Sequence, residues 1–302
     1  MKNPVEGVTS RRIEGLETAL HEDGIMKAPW QRGIKRTGDF FHYYKAEDGS
    51  HVIIVGDHEG KGVSVKKGRI NTAYWRAGRV RNLIRTFLRT GRSIPKVFSL
   101  TNLALAAPQD LFHIREETAR KKAKAENKPN PKPKSFEPTQ AVASAMHYDP
   151  ETKKITMTYA GGEQLVHFKF NPETREIEHT VVKDEKGGFP LGMFSENPRT
   201  DEPMEYKREE PISLEDGVYL LFTDGVDYKL RKKVSKKEEP RRLSRGEFYG
   251  VVKSVLKDAH DERGNRTASL KDVLANVRER LDDLGRRTDD LTLFAFAKRR
   301  SR

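Results

Sequence analysis

Five aspartates stand where strands are expected to begin or end. Asp39 precedes the aromatic run Phe40, Phe41, Tyr43 and Tyr44, and Asp57 follows the apolar run Val52 to Val55. Asp224 follows Val218 to Phe222 within Thr223-Asp224-Gly225, and Asp289 and Asp290 precede Leu291 to Ala297. Singly, each has an ordinary account: aspartate bonds its own backbone and glycine accepts positive φ, so both collect in turns. Together they suggest more. If the four strand ends converge, their carboxylates repel one another unless a cation lies between them, and clustered carboxylates with water suit Mg²⁺ or Mn²⁺. Two such ions about 3.5–4 Å apart can hold a water as hydroxide for in-line attack on a phosphate.

The elements that must position these groups are legible in the hydrophobic periods. The aromatic run and Val52 to Val55 flank Asp48-Gly49, a hairpin that brings Asp39 and Asp57 toward one end of a sheet. After Gly60-Lys61-Gly62 the period becomes helical, with Ile70, Ala73, Tyr74, Ala77, Val80, Ile84, Phe87 and Leu88 on one face and Arg69, Arg76, Arg79, Arg85 and Arg89 on the other. Gly91 ends that helix, and a second begins at Pro95 and runs through Val97, Phe98, Leu100 and Leu103. From His113 to Pro138 the pattern gives way to lysine, then to alternating proline, which predicts a flexible basic insertion at about 108–138. Strands follow over 141–148, 154–160, 164–170 and 177–182, joined by Asp149-Pro150 and Asn171-Pro172 turns. Two amphipathic helices, through Phe248 to Ala259 and Leu270 to Leu281, separate Val218 to Phe222 from the last strand. Residues 1–36 are weakly patterned, with a short helix expected around Ile13 to Leu20, and read as an N-terminal extension. Blocks of hairpin-linked strands alternating with helix pairs make the chain α+β, two packed antiparallel sheets with helices outside.

Composition removes several alternatives. The chain has 302 residues, enough for one large or two small domains, and no cysteine. Disulfides, thiolate zinc sites, iron–sulfur centres and thiol nucleophiles are therefore excluded. No apolar run approaches the roughly 20 residues that span a bilayer, and residues 1–12 contain no apolar export segment, so a cytoplasmic protein is expected. Fifty-eight basic against 45 acidic residues leave a net charge of +13, a field that attracts nucleic acid, anionic membranes or acidic and phosphorylated proteins alike. Nucleic acid is the weaker expectation, because no zinc-finger spacing, RNP motif or helix-turn-helix accompanies the charge.

Five motifs occur in a telling order: Thr37-Gly38-Asp39-Phe40-Phe41, Val55-Gly56-Asp57-His58-Glu59-Gly60-Lys61-Gly62-Val63, Phe189-Pro190-Leu191-Gly192-Met193, the stretch Asp216 to Val226, and Thr288-Asp289-Asp290-Leu291-Thr292. Over residues 37–298 the chain resembles metal-dependent serine/threonine phosphatases of the PPM superfamily, most of all the SpoIIE/RsbU branch. The resemblance implies a phosphatase domain over residues 37–302, folded as a four-layer αββα sandwich, with two Mn²⁺ or Mg²⁺ ions in the cleft between its sheets. Asp57 would bridge both ions, the backbone carbonyl of His58 would face one, Asp224 and Asp289 would bind the second, Asp39 would complete the cluster, and Asp290 would support it. Activity would require Asp57 and Asp224. Lys35 or Arg36 would hold the phosphate in place of an arginine used by relatives, or form a solvated pair. Residues 63–105, with Val63, Ile70 and Val97, would form a switch answering to a separate regulatory protein. The substrate would be a phosphorylated protein, in that branch often an anti-sigma-factor antagonist.

Three departures from the family pattern stand out. His58-Glu59 follows Asp57, the aspartate that would bridge the metals, where smaller or apolar residues are usual; His58 reads as a partly exposed turn residue, a gate to the metals or a proton donor. Gly161-Gly162-Glu163 replaces a usual Gly-His, and Tyr228 stands where a carboxylate is common. A phosphoprotein-binding pseudophosphatase is the alternative these departures suggest.

Overall fold

The strands of this protein alternate or run wholly apolar according to whether one or both faces are covered, and the sheets they form follow from that. A computed structural model describes residues 8–10, 13–23, 26–27, 35–36, 38–58, 73–126, 129, 139–162, 165–182, 188–196, 202–223, 228–230, 242–287 and 290–299. In chain order the elements are β1 (Val8–Thr9), β2 (Leu16–Asp23), β3 (Met26–Lys27), β4 (Lys35–Arg36), β5 (Asp39–Lys45), β6 (His51–His58), α1 (Ala73–Leu88) and α2 (Ile94–Ala125). There follow β7 (Ala141–Asp149), β8 (Lys154–Ala160), β9 (Leu165–Asn171), β10 (Glu176–Val182), β11 (Ile212–Ser213), β12 (Val218–Phe222) and β13 (Tyr228–Leu230). Last come α3 (Arg245–Asp258), α4 (Leu270–Leu284), β14 (Gly285–Arg287) and β15 (Leu291–Lys298).

Two antiparallel sheets result, one of six strands ordered β1-β2-β15-β12-β9-β10 and one of five ordered β11-β8-β7-β6-β5. Three apolar layers bind four structural ones. Helices α3 and α4 bury Phe248, Val252, Val273, Leu274 and Val277 on the outer face of the six-stranded sheet. Between the sheets lie Ile53, Val55, Met146, Tyr219, Leu221, Phe294 and Phe296, with the rings of Phe41 and Phe294 5.4 Å apart across the gap. Helices α1 and α2 cover the outer face of the five-stranded sheet through Val80, Ile84, Val97 and Phe98. This is the αββα sandwich that the resemblance implies. Helix α3 starts cleanly because Ser244 and Glu247 cap each other's backbone N–H groups, the arrangement its Ser-x-x-Glu sequence encodes.

Two expectations are corrected. The N-terminal segment is no extension: β2 lies between β1 and β15 in the larger sheet, paired with β15 over its whole length from Leu291↔Asp23 to Lys298↔Leu16. The short helix expected around Ile13 to Leu20 is therefore strand. Both faces of β2 are covered, Leu16 and Leu20 by the inter-sheet layer and Ala19 by the helical one, so the period-two signal is lost. Secondly, residues 108–125 of the insertion expected to be flexible at about 108–138 belong to α2, while residues 127–128 and 130–138 lie outside the described residues. Glu116 and Arg120, Glu117 and Lys121, and Lys122 and Glu126 stand at i,i+4 spacing within 4.0 Å, which supports a helix that buries nothing. Pro108 falls where the buried side chains of α2 stop, just beyond Leu105 and Ala106. Among the described residues no helix is long and apolar enough to cross a membrane.

Candidate active site

The β5–β6 hairpin sets the site's first two carboxylates. Its register pairs Asp39 with Asp57 directly, at the end of the sheet away from the Asp48-Gly49 turn. The alternation that places Phe40 and Ile54 under the helices turns Phe41 and Val55 to the gap between sheets. Gly56 is required here: a methyl at that position would lie 2.4 Å from the Phe40 ring and 2.6 Å from the Val142 carbonyl oxygen.

The opposite sheet completes the cluster. The Thr223 hydroxyl, at the end of β12, donates to Asp39 Oδ2 at 2.7 Å, and its oxygen accepts from the Thr292 backbone N–H at 3.0 Å. Asp290 Oδ2 accepts from the Gly38 N–H at 2.7 Å, across 252 residues of sequence. The functional residues thus hold the two sheets together at this edge. A methyl at Gly38 would sit 3.3 Å from Asp57 Oδ1, 3.6 Å from the His58 carbonyl oxygen and 3.7 Å from Asp290 Oδ2. Gly38 is therefore the point around which two carboxylates and the carbonyl gather. Asp57, half-buried, opens on a cleft of about 110 Å³ bounded also by Thr223, Phe222, Gly161 and Gly162.

Electrostatics agree with a place built for positive charge. Burial pushes the Asp39 carboxyl up to about 7, against the pull of the Thr223 hydroxyl and the Asp57 side chain, and the Asp290 charge pushes it further the same way. A cation beside this carboxyl relieves both the burial and the repulsion. The donors are all hard oxygens, carboxylates with a backbone carbonyl, which fit Mg²⁺ or Mn²⁺ and not a soft metal.

Of the residues the sequence singles out, the structure brings together Asp39, Asp57, the His58 carbonyl and Asp290. Asp224 and Asp289 lie outside the described residues, adjoining Thr223 and Asp290, as do Val63 and Ile70. Among the described residues alone, no three histidine or acidic side chains form a metal-binding group. Lys35 and Arg36 form β4, paired with β3, and their side chains are not among those described. Val97, in the first turn of α2, is wholly buried against the five-stranded sheet.

His58 is not an exposed turn residue. It is 1% exposed, and neither ring nitrogen has a hydrogen-bond partner among the described residues. Burial, reinforced by the Arg76 charge, brings its pKa down to about 4, so the ring is neutral at ordinary pH and holds no proton to donate as an imidazolium. The glycine pair at 161–162 is also explained: a methyl at Gly162 would meet the Ala143 carbonyl carbon at 2.5 Å and Ser144 Oγ at 2.4 Å. No side chain fits at that position.

Sequence reasoning missed Thr223 as the hydrogen-bond donor to Asp39, though it stands in a quoted motif, and missed Asn102 altogether. Asn102, 1% exposed on α2, accepts from the Gly192 N–H at 2.8 Å through Oδ1 and donates to the Phe194 carbonyl at 2.8 Å through Nδ2. It ties α2 to the Phe-Pro-Leu-Gly-Met loop, whose Leu191 bridges to Ala141 at the start of β7. Asn102→Ala strands both backbone groups and is expected to cost about 2–3 kcal/mol, read as a lower denaturation midpoint at unchanged m-value.

The family model described as Stage II sporulation protein E (SpoIIE) matches residues 47–299. No curated protein matches the chain by sequence. The RsbU and RsbW domains of a Mycobacterium tuberculosis protein superpose with a TM-score of 0.58 at 16% identity, over 95% of this chain and 61% of that one. This chain therefore spans less than two thirds of that protein's length. The SiaA-PP2C domain of Pseudomonas aeruginosa gives 0.55 at 14% identity, over 93% of this chain and 85% of that one. RsbX, solved in complex with magnesium, gives 0.51 at 14% identity, over 96% and 98%. With a PP2C fold and a family match over most of its length, the chain belongs to the SpoIIE family.

Proposed function

We propose that the chain is a metal-dependent phosphatase acting on phosphoserine or phosphothreonine of a signalling protein. The observation that carries this reading is the pairing of the buried Asp39 with Asp57, which lines a cleft, with the His58 carbonyl and Asp290 gathered at the same point. Membership of the SpoIIE family and the magnesium in RsbX support it. Asp57 and the His58 carbonyl would hold one of two Mn²⁺ or Mg²⁺ ions, Asp57 would be shared with the second, and Asp224 and Asp289 would complete the second ion's ligands. Bound there, the ions supply a water of lowered pKa and neutralise phosphoryl charge.

The chain's own part is positioning. Asp39 is fixed by the Thr223 hydroxyl, and the Thr223 oxygen by the Thr292 N–H, so the carboxylate cannot turn away from Asp57. Asp290 holds Gly38, which sets the path of the chain entering Asp39. Phe222, Gly161 and Gly162 wall the cleft without adding charge, leaving room for a phosphoryl group beside Asp57. The substrate reading is a phosphorylated partner-switching protein, such as an anti-sigma-factor antagonist, with α1 and α2 answering to a separate regulator. Asn102 supports that last point, because it links α2 to a loop bridged to the site-bearing sheet.

The test is hydrolysis of p-nitrophenyl phosphate and a phosphothreonine peptide, titrating MnCl₂ or MgCl₂ against EDTA, with Asp224→Ala in parallel. Metal-dependent turnover that disappears in the variant is the expected result. Turnover indifferent to EDTA or to the substitution overturns the site. A folded protein with no turnover in either metal reassigns the chain to binding phosphoproteins without hydrolysing them.

A further inference from the structure

A second cavity, larger than the aspartate cleft, is lined wholly by described residues. This cavity lies at the other end of the five-stranded sheet, between the α1–α2 turn and the sheet's outer face, and measures about 670 Å³. From Val52, which lines it, to Asp57 is five residues of β6, about 17 Å at strand rise. Its volume is within the range of small-molecule sites, about 300–1,000 Å³.

The wall nearest the sheet holds an arginine in a defined position without neutralising it. Arg208 Nε donates to Thr156 Oγ1 at 3.0 Å, and one Nη contacts His147 Nδ1 at 3.1 Å. The protons along this chain can be assigned. The Ser50 hydroxyl donates to Asp48 Oδ1 at 2.6 Å, so its oxygen must accept from His147 Nε2 at 3.0 Å. Nδ1 is then the bare nitrogen, and it accepts from Arg208. Burial and the Arg208 charge both lower the His147 pKa, consistent with a neutral ring. Both of the arginine's acceptors are therefore uncharged.

The opposite wall adds to the imbalance. Arg89 and Arg92, in and beside the α1–α2 turn, line the cavity, and like Arg208 they make no ion pair among the described residues. The first turn of α2 also borders it, with no acidic residue in that turn and no side-chain cap from Ser93. Two carboxylates lie at the rim: Asp48 is engaged by the Ser50 N–H and hydroxyl, and Glu47 is exposed. Tyr44, Val52 and Pro95 supply an apolar floor.

From this arrangement we infer a second site, which binds a small organic anion: its phosphate or carboxylate on Arg208, Arg89 and Arg92, and its apolar body against Tyr44 and Pro95. Guanidinium forks match the oxygens of both anions, and a fork already held by neutral acceptors loses little freedom on binding. Because Arg208 comes from a segment bridged to β8 and the other two arginines from the α1–α2 turn, a ligand spanning them ties that turn to the sheet. The inference does not rest on the phosphatase reading, and its test needs no turnover.

The experiment is calorimetric titration of the full chain in EDTA with phenylphosphonate and, separately, benzoate, which distinguish the two anions. Saturable binding is expected, with slowed amide exchange over residues 88–96. Arg208→Gln should weaken it about tenfold or more, the scale of one charge-assisted hydrogen bond, and the exposed double variant Arg89→Gln/Arg92→Gln should weaken it several-fold. Asp57→Asn should leave it unchanged. Three results would overturn the site: no saturable binding of either probe to the unsubstituted protein up to about 10 mM, equal affinity in the arginine variants, or loss of binding in Asp57→Asn.

Discussion

Asp57→Asn is expected to lower metal-dependent hydrolysis of p-nitrophenyl phosphate by about 10³-fold or more while the protein remains folded. The side chain keeps its size and its place opposite Asp39, so neither the hairpin register nor the cleft is disturbed. What is lost is the negative charge that would hold a divalent ion, and with it the activated water and the neutralised phosphoryl group. Stability in EDTA should hardly change. The amide of the variant can keep the hydrogen bond that the Asp57 side chain makes to the Asp39 carboxyl, so Tm measured in EDTA should stay close to that of the unsubstituted protein. Retained turnover, or a fall in Tm of many degrees alongside lost turnover, counts against a metal-holding role.

Gly192→Ala should produce the largest loss of stability, on the order of 3–5 kcal/mol in denaturant unfolding. Its φ of +78° is one that side chains rarely adopt, and its methyl would lie 2.2 Å from the Thr139 carbonyl oxygen and 2.9 Å from Leu105 Cβ. Gly49→Ala separates the two causes. There φ is +84° but nothing lies within 4 Å, so only backbone strain is added and about 1 kcal/mol is expected. Equal effects at the two positions would mean that the loop carrying Gly192 yields to the clash and does not hold α2 against β7.

The site was legible to the extent that it depends on register. Asp39 and Asp57 flank a short hairpin with a strong turn signal, so their meeting follows from counting residues back from Asp48-Gly49. The Asp290 to Gly38 bond joins opposite sheets and has no local signature, and neither has Asn102, which reads as one polar residue on an apolar helix face. Helix α2 beyond Pro108 was misread because its charges were counted and not spaced; the Glu116–Arg120 and Glu117–Lys121 pairs are visible only at i,i+4. Strand β2 failed for the opposite reason, since a strand covered on both faces has no polar side to alternate with. The apolar faces of α1, α3 and α4 and the runs of β6, β12 and β15 were plain, because each packs one continuous layer.

The place of β2 has a consequence for how this protein is made. The strand emerges from the ribosome well before β15, one of its two neighbours, and the β12, β9 and β10 side of the sheet reaches β2 only through β15. The smaller sheet, apart from its short edge strand β11, is built from two hairpins, β5–β6 and β7–β8, joined across α1 and α2, and can assemble as soon as β8 has been made. The larger one must wait with the apolar side chains of β2 uncovered, because a pairing between distant segments bears its closure entropy before any contact repays it. A nascent chain of this protein therefore depends on being shielded until β15 has been made, and its yield in a cell should respond to chaperone supply more than its final stability would suggest.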